Sequence, residues 1–340
     1  MEVSIIIVNY RTSGLIINAL QTVYRYTEGV SFEVIVVNNE EDTEGKRRVL
    51  TEYPEVKWIE MSYNAGFGRA NNAGMKAAAG RYFLLLNADT LLVDNVIGRC
   101  VKRMEADRQI VACAALQYDG DRQPMPFYQS FNDFRKSFFI IPPGKFFADL
   151  LERFLPEPVY EDPEQRDWLV GAFMMIRREG FEATGGFEEC LFMYGEDVEW
   201  SWRLGKTGRL CLFKDCIFLH LENGNPYRRS RISWINRFSV QMQVSNMVWL
   251  RKQYGAFYYF LMLIHYLVMI PVVYIWRWIA NMKESDPAKR GFDTQHIFAR
   301  KVGVLLSYFW KTMNYKQYFF KIRPEENIDK LYADEGNQKT

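Results

Sequence analysis

Asp89, the adjacent pair Glu196 and Asp197, and His220 are the side chains whose types and positions could do chemistry. Asp89 lies near the end of the stretch RYFLLLNADT, in which five apolar or aromatic residues, Tyr82 to Leu86, give way abruptly to Asn87-Ala88-Asp89-Thr90. Such a run reads as a strand buried on both faces. A carboxylate at the carboxyl end of a central strand lies where open α/β sheets bind ligands. One acid there suits a divalent ion bridging a diphosphate, because Mg²⁺ and Mn²⁺ take hard oxygen ligands and share them with substrate phosphates. The competing reading is that Asp89 caps a helix beginning near Val93. Glu196, Asp197 and Glu199 fall in the first turn of a helix that Gly195 introduces. Acids there also complement the helix dipole, so capping alone would account for them. His220, one of three histidines, follows the apolar run Cys216 to Leu219. A neutral imidazole can join a carboxylate on Mn²⁺ or Mg²⁺, or serve structure alone.

The elements that must position these groups alternate along the chain. Val3 to Val8 reads as a buried strand. Thr12-Ser13 then caps a helix to about Tyr26, with Leu15, Ala19, Leu20 and Val23 inward. Strands follow at Glu33 to Val37 and Val56 to Met61, then a helix from about Phe67 to Ala79 leads into the Arg81 strand. This alternation predicts a doubly wound, mostly parallel sheet with helices on both faces and the strand ends gathered on one edge. Asn9, Tyr10, Asn38, Asn39, Asn64, Asn87 and Asp89 collect at those ends and line one crevice. Gly66-Phe67-Gly68-Arg69-Ala70-Asn71 superficially resembles a dinucleotide fingerprint, but it follows the third strand and carries Asn71 where the last glycine belongs. A dehydrogenase is therefore disfavoured.

From Asp119 to Asp167 the pattern gives way to an aromatic and proline-rich stretch, read as an acceptor-side insertion. Trp168 to Ile176 reads as a further strand, with Gly171 and Ala172 small enough for close approach. Arg177 to Ala183 reads as a short helix stopped by Gly185-Gly186. The 43 Lys and Arg nearly balance 41 Asp and Glu over 340 residues, so nothing global points to nucleic acid. Five cysteines, with no Cys-x-x-Cys pair, read as reduced, packed thiols of a cytosolic protein. The chain passes from Met1-Glu2 directly into a strand, and no signal peptide is expected.

In their order, SIIIVNY, EVIVVNNEED, NAGFGRANNAG, RYFLLLNADT and the long segment from Trp168 to Leu204 followed by FLHLENG closely resemble family 2 glycosyltransferases of the GT-A fold. The branch resembled is that of the bacterial rhamnosyltransferase-like enzymes, and the likeness covers roughly residues 3 to 225. It implies that Asn87-Ala88-Asp89 stands for the DXD motif, with Asp89 and His220 as metal ligands and Asn87 replacing the first acid. It implies that Tyr10, Asn38 and Arg69 hold the nucleotide base, with Asn38 where the family usually has Asp, and that Trp168, Gly171 and Ala172 form the floor under the donor sugar. Glu196-Asp197 matches the ED motif, whose Asp is the catalytic base and whose Glu neighbours it. The implied reaction is an inverting, Mn²⁺- or Mg²⁺-dependent transfer from a dTDP- or UDP-sugar, rhamnose being one candidate, to a glycan or polyprenyl-linked glycan of a bacterial surface polysaccharide. A helix start tends to lower a carboxyl pKa, which predicts Asp197 as a weak, permanently ionised base.

The last part of the chain differs in character. Pro226 to Arg323 carries sixteen Lys or Arg against three acids, and Gly255 to Ala280 is the most apolar run, interrupted by His265 and Pro271. Three readings stand: an interfacial or re-entrant helical pair on the inner leaflet, a transmembrane helix, or helices packed on protein. The expected organisation is thus a GT-A domain over 1–225 with its insertion at 119–167, a basic, aromatic helical region over 226–325 associated with a membrane, and a polar tail over 326–340. The protein is expected to be cytoplasmic and peripheral on the inner membrane face. Transfer directly to polyprenyl phosphate, and a non-catalytic sugar-nucleotide or glycan-binding subunit of the same fold, are the alternatives.

Overall fold

A computed structural model describes residues 1–127, 129–141, 144–221 and 234–328, apart from the side chain of Ala288. Glu222 to Gly224 of the FLHLENG motif, Arg228, Arg229 and Arg231 of the basic region, the 225/226 boundary and residues 329–340 of the polar tail lie outside the described residues. The chain divides into two compact units, drawn from the described residues of Met1–Asp133, Glu157–Phe192 and Glu196–Gly224 for the first, and of Phe134–Pro156, Met193–Gly195 and Asn225–Thr340 for the second. The stretch 119–167 is therefore shared between the two units, 134–156 belonging to the second.

The first unit alternates strand and helix: β1 Val3–Asn9, α1 Ser13–Tyr26, β2 Phe32–Asn38, α2 Thr43–Glu52, β3 Lys57–Glu60, α3 Gly66–Ala77, β4 Tyr82–Leu86, β5 Thr90–Leu92, α4 Val96–Ala106 and β6 Ile110–Tyr118. Then come α5 Phe131–Lys136, which reaches into the second unit, α6 Lys145–Phe154 in that unit, and again in the first β7 Gln165–Arg166, β8 Phe173–Arg177, α7 Arg178–Thr184, α8 Glu196–Leu204 and β9 Arg209–His220. The sheet order is β3-β2-β1-β4-β8-β6-β9-β5, with β7 paired to β9. β1, β2, β3 and β4 are mutually parallel. All five side chains of β4 are buried, as a strand covered on both faces requires.

Several local expectations change. The strand read from Trp168 begins only at Phe173, because Trp168 to Ala172 forms a loop before it. β8 runs antiparallel to both β4 and β6, so the strand ends do not all gather as carboxyl ends on one edge. The amino end of β8 adjoins the carboxyl end of β4 instead, where Asn87 N donates to Ala172 O at 3.0 Å. Asp89 caps no helix: the chain continues into β5, and Asn95 caps α4 by accepting from Gly98 N. The inner face of α1 uses Ile16 in place of Leu15, and its start is tied down by Asn9 Oδ1, which accepts from the backbone N–H and the hydroxyl of Thr12. β6 and α2 went unforeseen. The core lies on both faces of the sheet, with Ile5, Ile7, Leu84 and Phe173 on one side and Ile6, Phe83, Leu85 and Trp200 on the other. The five cysteines are buried, and no disulfide joins them.

In the second unit α9, Val240–Lys283, contains a break at Gly255, whose φ of 89° only glycine adopts cheaply, and continues through Pro271. It is, among the described residues, the helix long and apolar enough to cross a membrane by length and composition. Tyr259, Met262, Leu263, Tyr266, Met269 and Val273 are buried, while Phe257, Phe260, Val268, Ile275, Trp278 and Met282 are exposed. His265 is satisfied internally: its Nε2 accepts from Ile140 N at 2.9 Å. α10, Asp293–Ser307, packs on α9, and α11, Phe309–Met313, follows it. α6 buries none of its residues and exposes Phe146, Phe147, Leu150 and Phe154.

Gly66 opens α3 at a φ of +80°, and a Cβ there would collide with the carbonyl oxygen of Phe192. Gly66→Ala is expected to lose about 1–3 kcal/mol in urea denaturation. Gly14→Ala, in open space on α1, should change stability by less than about 1 kcal/mol and in the stabilising direction. Equal midpoints for the two variants would refute this account of the α3 start.

Candidate active site

The site is built where β4 stops. Thr90 faces His220 across the β5–β9 ladder, and this register sets Asp89 Oδ1 3.0 Å from His220 Nε2. Asn87 turns its amide towards the same ring nitrogen at 3.4 Å. From the far side, the Gln117 amide lies 2.8 Å from His220 Nδ1 and fixes the plane of the ring. Leu221 N donates to Asp89 O at 2.9 Å, closing the turn onto the end of β9. Residues 133 apart in sequence thus meet because β5 folds back onto β9.

The opposite wall is the loop before β8. Leu169 N donates to Ser201 Oγ at 3.2 Å and Gly171 N to Asp197 Oδ2 at 3.4 Å, which lashes the loop to the first turns of α8. A Cβ on Gly171 would press on the Phe67 ring at 3.0 Å. Ala172 O is the acceptor for Asn87 N, so Gly171-Ala172 links the Asp89 turn to Asp197 by one main-chain bond and one bond to the Asp197 carboxylate. Trp168 is buried beneath the same loop.

The three acids of α8 separate in character. Glu199 is fully buried and held by Arg203 through a 2.6 Å bond, a structural ion pair. Glu196 is buried, its Oε2 has no hydrogen-bond partner, and burial together with the Asp197 charge pushes its pKa up to about 8. Burial also pushes Asp197 up to about 6, against bonds from Val198 N and Gly171 N that favour the ionised form. The expectation of a low pKa at the helix start is thereby corrected: loss of water outweighs the helix dipole. Both carboxyls are pushed upward by loss of water, and two such groups side by side disfavour double ionisation, so the pair can offer one base to the crevice.

Asn38 and Arg69 make their hydrogen bonds elsewhere. Asn38 is fully buried; its Oδ1 accepts from Asn9 Nδ2 at 2.8 Å and its Nδ2 donates to Glu60 at 2.7 Å. Burial disfavours the charged form of Glu60, but donors from Asn38, Lys46 and Trp58 hold its carboxyl below the usual range. Arg69 donates to Glu189 O and Tyr63 Oη, both at 2.7 Å, and Tyr10 stands exposed after β1. Glu60 and Gln117 escaped the sequence reading. Glu60 ends the short third strand, and Gln117 sits at the polar end of β6, a strand whose sequence position gave no hint of its neighbour His220.

Among the described residues no group of three or more His, Cys, Asp and Glu side chains converges as a metal cage. Asp89 and His220 nevertheless offer one oxygen and one nitrogen at a common point, and Asn87 adds an amide. That donor set fits a cation that completes its shell with diphosphate oxygens and water, the usual habit of Mg²⁺.

Comparison with known proteins identifies the family and the fold. The model of the family described as "Glycosyl transferase family 2" matches residues 4–185, more than half of the chain. Rhamnosyltransferase WbbL of Escherichia coli (strain K12) is 25% identical over 186 residues, covering 51% of this chain and 67% of the relative. An N-acetylglucosaminyl-diphospho-decaprenol L-rhamnosyltransferase of Mycobacterium tuberculosis is 44% identical over 54 residues, 15% of this chain and 18% of that one. The chain spans only 18% of the length of the first curated relatives it matches. Among solved structures, the mannosyltransferase PcManGT from Pyrobaculum calidifontis, in complex with GDP-Man and Mn²⁺, shares the fold at a TM-score of 0.52 and 15% identity, covering 91% of this chain and 87% of its own. The sheet is that of the GT-A fold, and the chain belongs to glycosyl transferase family 2.

Proposed function

We propose that this chain is an inverting glycosyltransferase that moves a sugar from a nucleoside diphosphate donor to a hydroxyl of a growing bacterial surface polysaccharide. The observation that carries the reading is the convergence of Asn87, Asp89 and His220 with Asp197 through Gly171-Ala172. Asp89 and His220 would hold the divalent cation, Mn²⁺ or Mg²⁺, which when bound neutralises the diphosphate leaving group. Asp197 takes the proton of the acceptor hydroxyl as its oxygen bonds to the anomeric carbon and the bond to the diphosphate oxygen breaks. Glu196, protonated, keeps a second negative charge away from that base. Trp168, Gly171 and Ala172 form the floor under the sugar, and Tyr10, Asn38 and Arg69 receive the base, dTDP and UDP being the donors proposed. Rhamnose is the favoured sugar, on the strength of the relatives' names.

The catalytic domain is assigned to 1–225 and the basic helical region to 226–325. A polyprenyl-linked acceptor and a peripheral place on the inner membrane face are supported by the exposed aromatic and aliphatic side chains of α9 and α6, accompanied by Lys145, Arg153, Arg277, Lys283 and Arg290. A binding subunit without catalysis has no physical need for the set Asp89, Glu196-Asp197 and His220.

With a dTDP-, UDP- and GDP-sugar panel and membrane lipid extract as acceptor, release of nucleoside diphosphate is expected from one donor, lost on chelation and restored by Mn²⁺. Asp197→Asn should slow it by about 10²–10⁴-fold, and Asp89→Ala should abolish it. Release undiminished in Asp197→Asn would remove the base from this residue.

For pH, a base whose pKa is raised to about 6 is protonated and idle below that value and active above it. The rate should therefore climb through pH about 6, and Glu196→Gln, which mimics the protonated acid, should retain the climb and most of the activity at pH 7. A profile flat from pH 5 to 8 would contradict the assignment.

Flotation with anionic lipid vesicles should carry the intact chain. Retention of all the protein in the soluble fraction would sink the peripheral-membrane reading.

A further inference from the structure

Gln117 reaches His220 through an irregularity in the sheet. β6 and β9 run parallel, and their register slips between Ala115, which faces Phe213, and Leu116, which faces Ile217. The slip sets Gln117 opposite Phe218, two residues before His220 and so on the same face of the sheet. The Gln117 amide nitrogen, Nε2, lies 2.8 Å from His220 Nδ1 and 2.7 Å from Met125 Sδ. Met125 is held there by its own N–H, which donates to Gln117 O at 2.9 Å. An amide nitrogen donates and does not accept. Nδ1 is therefore the acceptor, and the single proton of a neutral ring sits on Nε2, from which it donates to Asp89 Oδ1 at 3.0 Å. The 3.4 Å contact with Asn87 Nδ2 is too long to compete with that bond.

This arrangement is at odds with cation binding. An imidazole holds a metal ion through a bare nitrogen, and here the nitrogen that faces Asp89 carries the hydrogen. His220 becomes a ligand at Nε2 only as the other tautomer, with its proton on Nδ1. That N–H needs an acceptor, and Gln117 supplies one by turning its amide over so that Oε1 takes the place of Nε2. The turn costs little. The two ends of an amide are alike in shape, and the bond given up on the other side goes to a thioether sulfur, a weak acceptor. In the exchange one proton leaves Nε2 and one joins Nδ1 by way of water, which reaches a side chain that is 12% exposed. The charge on the ring is the same before and after.

We propose that Gln117 is the positioning residue that selects the tautomer of His220. Its N–H on Nδ1 latches the ring to Asp89, and its carbonyl on Nδ1 frees Nε2 for the divalent cation. This rests on reading Asp89 and His220 as cation ligands, and it adds a requirement that those two residues do not contain.

The test is NMR of the full chain with nitrogen-labelled histidine, of which the chain holds three. The His220 signal is the one lost in His220→Asn. At about pH 8, where a free imidazole is neutral, the ring should carry its proton on Nε2 before metal is added. Titration with Zn²⁺, a diamagnetic probe, should move it to Nδ1. Gln117→Glu, whose carboxylate only accepts, should place a proton on Nδ1 without any metal. In parallel, the EPR signal of free Mn²⁺ reads affinity. Gln117→Leu, similar in size but without a polar group, should weaken Mn²⁺ binding about tenfold to a hundredfold, and Gln117→Glu should keep it. Should Gln117→Leu fail to fold, the NMR of the unaltered protein and of Gln117→Glu decides. A ring with its proton on Nδ1 before metal is added, a proton that stays on Nε2 when Zn²⁺ binds, or equal Mn²⁺ affinity in folded Gln117→Leu would overturn the proposal. Failure of the unaltered protein to bind either metal would instead remove the cation reading, and the proposal with it. No arm requires sugar transfer, so a failed transfer assay reports on a different claim.

Discussion

The hydrogen bond from Asn87 N to Ala172 O is the junction on which the crevice depends. It exists because β8 enters the sheet antiparallel to β4, so the loop before β8 arrives at the edge where β4 ends. A parallel β8 would have delivered its carboxyl end there and carried Gly171-Ala172 to the opposite edge. With the loop in place, one side of the crevice holds Asp89 and His220 and the other holds Asp197. The two sides are joined through the loop, by one main-chain bond at Ala172 and one from Gly171 N to the Asp197 carboxylate.

Electrostatics then divides labour among like residues. Three acids in one helical turn repel one another, and the structure resolves the conflict in three ways. Glu199 finds Arg203, Glu196 is pushed towards its neutral form by burial and the Asp197 charge, and Asp197 sits between two backbone donors that favour its ionised form. Desolvation is the largest influence on both members of the pair, and the few bonds Asp197 accepts keep its pKa the lower of the two.

The second unit obeys a different logic. Its long helix breaks at Gly255 and buries an aromatic stripe through Tyr259 and Tyr266, while a second stripe through Phe257, Val268 and Trp278 stays exposed. His265, which looks like an interruption of an apolar run, is consumed by Ile140 N. Exposure of this apolar stripe, together with that of α6, has a cost in water that a lipid surface would relieve.

From the sequence alone, the buried strands Val3 to Val8 and Tyr82 to Leu86, the alternation with helices and the turn that Gly195 allows before α8 were legible, and Asp89, Asp197 and His220 could be named as candidates. Uniform apolar runs, punctuating glycines and abrupt polar ends are local signals, written within a few residues. Motif order added the family, which no single stretch specifies. What remained hidden was set by pairing across long separations. The direction of β8, the register of β5 on β9 that joins Asp89 to His220, and the grip of Gln117 on that histidine are not encoded in any local period. The pKa of Asp197 is of the same kind: its helix position argues for a low value, and only the packed surroundings, by excluding water, reverse the sign. Arg166 likewise reads as one more surface arginine until β7 pairs with β9 and buries it.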